Sequence, residues 1–425
     1  MENRADIESK DSGAIWLGSV PENWEIDQIG SLYTLRNTKV SDVDYPPLSV
    51  TMQGIVPQLE NAAKTDAHDD RKLVCVGDFA INSRSDRRGS CGISSLDGSV
   101  SLINIVLTPR NKMHPGYYNW LFHTVQFADE FYKWGHGIVN DLWTTRWQEM
   151  KKIVVPYPPL EEQAAISDYL DVIIEKVNAS INELKKSVEE YSEWRASVVY
   201  EILTKGINPN EVMRDSGYSY IGKVPQTAQI MKLKNIVEIS DGTHDTPAYV
   251  DKGENTYPLV TSRCIVNGHI DLSIANHISK EDYDAIVQRS YVSKYDVIMP
   301  MIGTVGNPAV VETEEKFALK NVGIFRTNGS EILGKFVAYM LDSLVVKTQF
   351  ELKQRGGVQN FVSQSLLNNL AIPVLANMEE IVCALDDKCG KIDMLIKEKE
   401  SLIESLEEYK KSLIFEAVTG KRKVV

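Results

Sequence analysis

The chain carries one long helical segment twice, in register and without a gap. Tyr200-Glu201-Ile202-Leu203-Thr204 is answered by Phe415-Glu416-Ala417-Val418-Thr419, each an aromatic, a glutamate, two apolar residues and a threonine. The offset is 215 residues, Glu201 to Glu416. It holds upstream, where Leu170-Asp171 matches Leu385-Asp386 and Ser197 matches Ser412. A repeat this long is no small solenoid unit. It predicts two half-molecules, each a globular part followed by a helix.

The first copy, from about Leu160 to Thr204, has coiled-coil spacing. Leu170, Val177, Leu184, Tyr191 and Val198 recur every seven residues. Ile174, Ile181, Val188 and Ile202 form the second register, with Arg195 as its polar member. The second copy keeps most of the seam in Leu385, Cys389, Ile392, Ile396, Ile403, Leu406 and Leu413, interrupted by Lys399 and Lys410. Alternating apolar positions of this kind make an a/d seam. Each helix would run roughly 60 Å at 1.5 Å per residue. Two equal stripes in one chain pair most simply with each other, antiparallel. The competing reading is two helices that each pack on a neighbouring domain.

A chain of 425 residues has room for about two to four domains. Its apolar runs fall far short of the roughly 20 residues a membrane helix needs. Met1–Ser12 is polar and has no signal-peptide hydrophobic stretch, so a cytoplasmic protein is expected. Cys75, Cys91, Cys264, Cys383 and Cys389 are scattered and include no CxxC pair, which reads as free thiols. The net charge of −13 excludes a chain coated in basic residues. The first helix, residues 159–206, is strongly acidic, with 5 basic against 10 acidic residues. Any nucleic-acid contact must come from local basic loops rather than from a global field.

The globular halves repeat more loosely. Gly18-Ser19-Val20-Pro21 echoes Gly222-Lys223-Val224-Pro225, and Gly77-Asp78-Phe79 echoes Tyr295-Asp296-Val297. Asn104-Ile105 echoes Asn321-Val322, and Ile153-Val154-Val155-Pro156 echoes Leu370-Ala371-Ile372-Pro373. The landmarks keep their order while the residues between them differ. Candidate strands are Leu73–Ile81, Leu102–Thr108, Tyr257–Thr261, Asp296–Ile302 and Phe317–Arg326, with late helices at about Tyr117–Trp134 and Gly334–Gln354. Strands cut by turns, with few helices, predict a mixed α+β domain on a curved sheet.

These features together resemble the specificity subunit of type I restriction–modification systems, over nearly the whole chain. The carrying block is Ile153-Val154-Val155-Pro156-Tyr157-Pro158-Pro159-Leu160-Glu161-Glu162-Gln163, followed by Ile166 and Leu170-Asp171. The second copy, Ile372-Pro373 through Leu385-Asp386, lacks the Pro-Pro and the Glu-Gln. Gly-x-Val-Pro with Asn23-Trp24 is similar to the family's domain start. Asp241-Gly242-Thr243-His244-Asp245-Thr246-Pro247 and Ile302-Gly303-Thr304-Val305-Gly306 are similar to recurrent elements of its recognition domains.

The resemblance implies an α+β chain: two mixed α/β target-recognition domains separated by two long helices in an antiparallel coiled coil, with an internal pseudo-twofold repeat. The divisions are an N-terminal tail (1–17), the first recognition domain (18–158), spacer helix 1 (159–206), a linker (207–219), the second recognition domain (220–375), spacer helix 2 (376–420) and a C-terminal tail (421–425). Each domain would read one half of a bipartite site in double-stranded DNA. The helices would set the gap and dock two methyltransferase subunits, and two motor-nuclease subunits would complete the restriction complex. S-adenosylmethionine, ATP and Mg belong to those partners, and this chain would bind no cofactor.

The first candidate contact is the loop Asn82-Ser83-Arg84-Ser85-Asp86-Arg87-Arg88-Gly89-Ser90, with three arginines in five residues. Arginine bonds guanine O6 and N7 together or grips phosphate. The bland reading is a solvated turn in which Asp86 pairs an arginine. In the second half the candidates are Thr243, His244 and Thr246, with Arg263 and Thr304. The glycine turns add His136 and Asn140 in one half and Arg355, Gln359 and Asn360 in the other. Asn or Gln there can read adenine, while the glycines themselves read equally as helix C-caps. Trp143 and Trp147 read as core or interface, and Lys421-Arg422-Lys423 as a solvated tail.

Catalytic motifs are missing from the sequence. Pro156-Tyr157-Pro158-Pro159 lacks the Asn of an adenine-methyltransferase motif, and no P-loop or S-adenosylmethionine glycine loop is present. Glu314-Glu315-Lys316 has a nuclease-like spacing but no convincing upstream partner, and no His-rich metal cluster appears. The expectation is a non-catalytic DNA-recognition subunit. An enzyme with hidden motifs, a coiled-coil adaptor without DNA readout, and the specificity subunit of a related fused restriction–methylation system stand as alternatives.

Overall fold

A computed structural model describes residues 8–59, 69–110, 113–137, 143–303, 305–353 and 362–424. They divide into two compact units: residues 1–185 with 400–425, and residues 186–399. Each unit thereby owns a piece of both long helices.

Unit 1 opens with the hairpin of β1 (Ser9–Asp11) and β2 (Ser19–Pro21), then β3 (Glu25–Gln28) and the short helix α1 (Ile29–Leu32). The strands β4 (Tyr33–Arg36), β5 (Lys39–Val40), β6 (Leu48–Thr51), β7 (Gly54–Pro57), β8 (Arg71–Val74) and β9 (Phe79–Asn82) follow. Next come β10 (Cys91–Ile93), β11 (Gly98–Ser101), β12 (Asn104–Pro109), the helices α2 (Pro115–Phe122), α3 (Val125–Lys133) and α4 (Trp147–Met150), and β13 (Val154–Tyr157). The main sheet has the antiparallel order β10-β9-β12-β4.

Successive side chains of a strand point to opposite faces, so β9 serves two cores. Phe79 and Ile81 join Leu107, Tyr117, Phe122 and Phe127 on the helical side. Ala80 joins Leu48, Ile55, Val74, Val100 and Val106 on the other, beneath the β6–β7 hairpin. The Phe79, Phe122 and Phe127 rings pack in series, tilted to one another, 4.6 Å between centroids at each step. Removing Phe122 would cost about 3–5 kcal/mol.

Unit 2 repeats the plan. Its elements are β14 (Met213–Asp215), β15 (Lys223–Pro225), β16 (Gln229–Lys232), β17 (Glu238–Asp241), β18 (Thr256–Val260), β19 (Ile265–Val266), β20 (His269–Ile270) and β21 (Asn276–Ser279). After α6 (Lys280–Ser290) come β22 (Val297–Pro300), β23 (Ala309–Val310), β24 (Ala318–Leu319), β25 (Val322–Arg326), α7 (Glu331–Asp342), α8 (Leu344–Lys353), α9 (Gln364–Asn368) and β26 (Ala371–Val374). The order β17-β25-β22-β23 reproduces β4-β12-β9-β10. Buried Asp78 and Asp296 perform one task in both: each caps a turn by accepting a backbone N–H, from Cys75 at 2.8 Å and Ser293 at 2.9 Å. The residue before each aspartate is left-handed, Gly77 at φ 87° and Tyr295 at φ 69°.

The long helices are α5 (Leu160–Lys205) and α10 (Met378–Val418). In unit 1, Leu170 and Ile174 share a core with Leu413, Ala417 and Val418, and Lys410 donates to Asn178 at 3.2 Å. In unit 2, Lys399 lies over the Tyr191 ring and Arg195 donates to Asp393 at 2.7 Å. Within unit 2, Tyr191 to Arg195 runs forward while Lys399 to Asp393 runs back, so the pairing there is antiparallel. Among the seam residues, Leu170, Ile174, Val177, Ile181, Leu385, Ile392 and Leu413 are buried. Leu184, Val188, Tyr191, Val198, Ile396, Ile403 and Leu406 are half-buried.

Several sequence expectations are corrected. The late helices are each broken in two. Thr124 caps α3 by accepting the Phe127 N–H at 3.2 Å, and Ser343 turns the chain between α7 and α8. Leu73–Ile81 is two strands separated by the Asp78 turn, and Phe317–Arg326 is two strands separated at Lys320-Asn321, where Asn321 has φ 57°. Residues 8–17 are no tail: β1 pairs with β2 and Leu17 is fully buried. The linker 207–219 contains β14, paired with β15, because the same hairpin opens both halves. The end of the chain is held as well, with Lys421 Nζ donating to the Leu17 carbonyl at 2.7 Å and Arg422 paired with Glu416 at 2.8 Å.

Candidate nucleic-acid interface

In unit 1 the arginine loop leaves β9 and is tied down at once. Asn82 and Ser83 are buried. Asn82 Oδ1 accepts the Arg84 N–H at 3.1 Å, and Ser83 Oγ donates to the Ile103 carbonyl at 2.5 Å. Both therefore shape the loop instead of facing solvent, which corrects their reading as surface contacts. Their polar atoms were needed to turn a chain leaving a fully buried strand.

Arg84 forms an antiparallel bridge with Thr144, and Thr144 forms a second one with His136. Flanking bonds run from the Thr145 N–H to the Ser83 carbonyl and from the Ser85 N–H to the Trp143 carbonyl, both 3.0 Å. The fold thus sets Arg84 and His136 on either side of Thr144, two candidates more than fifty residues apart in sequence. Trp143 locks this corner: its indole donates to the Tyr132 carbonyl at 2.7 Å, and a Cβ on Gly135 would stand 2.3 Å from that nitrogen. Tyr132 in turn donates to the Asn82 carbonyl at 3.0 Å. Trp147 packs against the aromatic core, as its reading required.

Arg87 and Arg88 are exposed, and Arg84 and Ser85 half-buried. Arg87 lies 3.6 Å from Asp86, and Arg88 pairs with Asp129. These exposed pairs are worth about 0–1 kcal/mol and can be exchanged for phosphate contacts at little cost.

In unit 2 the loop after β17 is laced to the turn at Lys320-Asn321. The Thr243 N–H donates to the Leu319 carbonyl at 2.9 Å, and the Asn321 N–H donates to the Thr243 carbonyl at 3.0 Å. Gly242 has no room for a side chain, since a Cβ would fall 2.5 Å from the Leu319 carbonyl oxygen. His244 is exposed, with Nδ1 2.9 Å from Asn321 Oδ1 and Nε2 3.0 Å from Asp241 Oδ2. The Asn321 hydrogen bond raises the ring's pKa most; burial opposes it, and the bond to Asp241 and the charges of Asp241 and Asp245 add to the rise. Both ring nitrogens are engaged, so His244 ties this loop to Asn321 and Asp241.

One neighbour is Lys320, whose ammonium donates to Thr246 Oγ1. Sequence reasoning missed it, because nothing but the fold brings Lys320 to residues 241–246. Arg263 sits apart in a short 3₁₀ turn, exposed, donating to the Ile274 carbonyl at 3.2 Å. Asn140, Thr304, Arg355, Gln359 and Asn360 lie outside the described residues. Among the described residues no three His, Cys, Asp or Glu side chains cluster to hold a metal ion, and no helix is long and apolar enough to cross a membrane.

The motifs that marked the family meet each other in unit 1. Glu162 Oε2 accepts the Trp24 indole N–H at 2.8 Å, and Oε1 accepts from Asn23 Nδ2 at 2.9 Å. Buried Gln163 accepts the His114 N–H at 2.8 Å and donates to the Pro158 carbonyl at 2.7 Å. The Glu-Gln pair is thus the joint between domain and helix.

No family model matches the chain. It is 24% identical over 422 residues to the type I restriction enzyme MjaVIII specificity subunit of Methanocaldococcus jannaschii, covering 95% of this chain and 94% of that protein. It is 22% identical over 433 residues to the putative type I restriction enzyme MjaX specificity subunit of the same organism, covering 96% of each. A solved chain from a study of the assembly and conformational transition of the type I R-M system superposes with a TM-score of 0.68 at 15% identity, over 95% of this chain and 99% of that one. In sequence from end to end, and in fold, the chain is similar to the specificity subunits of type I restriction enzymes, the family to which its repeated motifs point.

Proposed function

We propose that this chain is the DNA sequence-specificity subunit of a type I restriction–modification complex, each recognition domain reading one half of a bipartite site. The observation that carries this reading is one strand order used twice under different loops. The Thr145–Ser83 tether of unit 1 recurs as Val362–Met301 in unit 2, where the Val362 N–H donates to the Met301 carbonyl at 2.9 Å. On that common frame unit 1 presents Arg84, Arg87, Arg88 and His136, and unit 2 presents Thr246 and Lys320 around His244. A scaffold held constant while its surface loops diverge suits two different half-sites.

The helices set the gap and dock two methyltransferase subunits, and two motor-nuclease subunits join for cleavage. The chain itself is non-catalytic and acts in the cytoplasm. S-adenosylmethionine, ATP and Mg serve the partners. The test is co-expression with the methyltransferase subunit of its own system, followed by methylome sequencing. One bipartite motif dependent on this chain is expected. Methylation that persists without the chain, or that follows an undivided motif, sinks the reading.

A further inference from the structure

Each unit carries a short hairpin that leans on the loop following its central strand. In unit 1 the β6–β7 hairpin turns at Met52-Gln53 and crosses β10 so closely that a Cβ on Gly92 would stand 2.8 Å from the Gly54 Cα. Its tip reaches the arginine loop, where the Met52 methyl would lie 3.9 Å from a Cβ on Gly89. In unit 2 the β19–β20 hairpin turns at Asn267-Gly268, with φ 49° and 76°. The Gly268 N–H donates to Asn307 Oδ1 at 3.2 Å, and Asn307 Nδ2 donates to the Ile265 carbonyl at 3.1 Å. Residues 301–303 and 305–308 occupy the station of residues 83–90, between the central strand and its edge neighbour.

Both tips carry an apolar residue, a carboxamide and a glycine in sequence, Met52-Gln53-Gly54 and Val266-Asn267-Gly268, set one position apart on the hairpin, so that Gln53 is the second turn residue of one and Asn267 the first of the other. Met52 is 70% and Val266 47% exposed, although neither hairpin lacks an apolar core beneath it. The Gln53 and Asn267 carboxamides are exposed and have no hydrogen-bond partner among the described residues. Other amides on these frames behave differently: those of Asn82, Asn307 and Asn321 all bond within the fold. The tips are also held stiffly. Thr51 Oγ1 accepts the Gln53 N–H at 3.1 Å and donates to the Gly54 carbonyl at 2.9 Å, and left-handed Asn-Gly is the favoured two-residue hairpin turn.

A carboxamide matches the N6 and N7 edge of adenine, and an adjacent apolar side chain suits a thymine methyl group. We propose that Gln53 and Asn267 are specificity-determining residues, each reading an A·T pair in its own half-site beside Met52 and Val266. This rests on the DNA-recognition reading above.

The test uses the full chain assembled with its methyltransferase subunit, with the methylome as readout. Gln53→Ala is expected to relax one A·T position of one half-site, with discrimination falling about tenfold or more, and to leave the other half-site unchanged. Asn267→Gly keeps the left-handed backbone and is expected to do the same in the other half-site. Wild-type motifs in both variants overturn the proposal and leave the proposed function standing. A wild-type complex that marks no bipartite site overturns both. Loss of all methylation with an unchanged melting temperature supports a DNA contact; the same loss with a lowered melting temperature counts against it, since the tip would then be holding the fold.

Discussion

Asp386 accepts the Tyr339 hydroxyl at 2.9 Å, and Asp171, its counterpart 215 residues earlier, accepts the Trp120 indole at the same distance. The repeated Leu-Asp of the two helices is therefore a joint made with the first of each unit's late helices. In unit 2 the joint is reinforced by Lys335, 3.0 Å from Asp386 and pushed up to about 12 by its hydrogen bonds to Asp386 and Glu331. Replacing Asp386 by Ala leaves the part-buried Tyr339 hydroxyl without its acceptor. A loss of about 1–3 kcal/mol in unit 2 is expected. Hydrogen exchange should quicken in residues 331–342 and 378–392; unchanged protection there would remove Asp386 from the account of unit 2's stability.

The arginine loop yields a second expectation. Exchanging Arg84, Arg87 and Arg88 together for Ala removes three cations but neither of the buried residues, Asn82 and Ser83, that shape the loop. Methylation through one half-site should relax or vanish, and the salt dependence of DNA binding should flatten by about one phosphate contact per lost cation. A methylome identical to wild type would exclude this loop as a reader.

The helix register allows a matched deletion. Residues 178–184 of α5 and 404–410 of α10 correspond in the register fixed by the Asn178–Lys410 contact. Removing both heptads shortens each helix by about 10 Å, at about 1.5 Å per residue. The two half-sites should persist with a gap shorter by no more than about three base pairs, at about 3.4 Å each. The original gap in the methylome of the deleted form would end the view of the helices as a ruler.

His244 introduces a pH dependence. Its pKa is raised in the folded chain by Asn321 first, and by Asp241 and Asp245. Its contribution to holding the loop is therefore fully present below the ordinary histidine value of about 6.5 and is lost as pH rises through the raised folded value. Backbone protection of residues 241–246 should fall over that window in the wild type and stay flat in His244→Asn. A flat wild-type profile would show that the ring does not hold the loop through its charge.

How much of this was legible follows from the range of each interaction. The helices and their antiparallel pairing were readable, because heptads are local and repeat many times. The Arg84–Thr144–His136 corner was not, since its two bridges join segments with no shared pattern. The single-strand reading of Leu73–Ile81 failed at Asp78, a buried carboxylate that resembles any surface turn residue in sequence. At its counterpart the candidate strand starts at Asp296, beside the first residue of β22, although left-handed Tyr295 stands where unit 1 has glycine. Asn82 and Ser83 are polar and yet buried, and a sequence shows the polarity without the burial. Gln53 and Asn267 do not stand out in the sequence, because only the fold brings each to a hairpin tip beside the loop that follows a central strand.

Unit 1 is closed by the last helix of the chain. A Cβ on Gly420 would fall 2.5 Å from the Pro21 ring, and Tyr117 donates to the Val418 carbonyl at 2.7 Å. Unit 2 is one uninterrupted stretch, residues 186–399. On the ribosome, which releases a chain from its N-terminus onward at about 5–20 residues per second, the half synthesised second has all its parts first. The half synthesised first waits, with the docking surface for α10 uncovered, until residues 400–418 emerge. The order of synthesis and the order of completion are opposite.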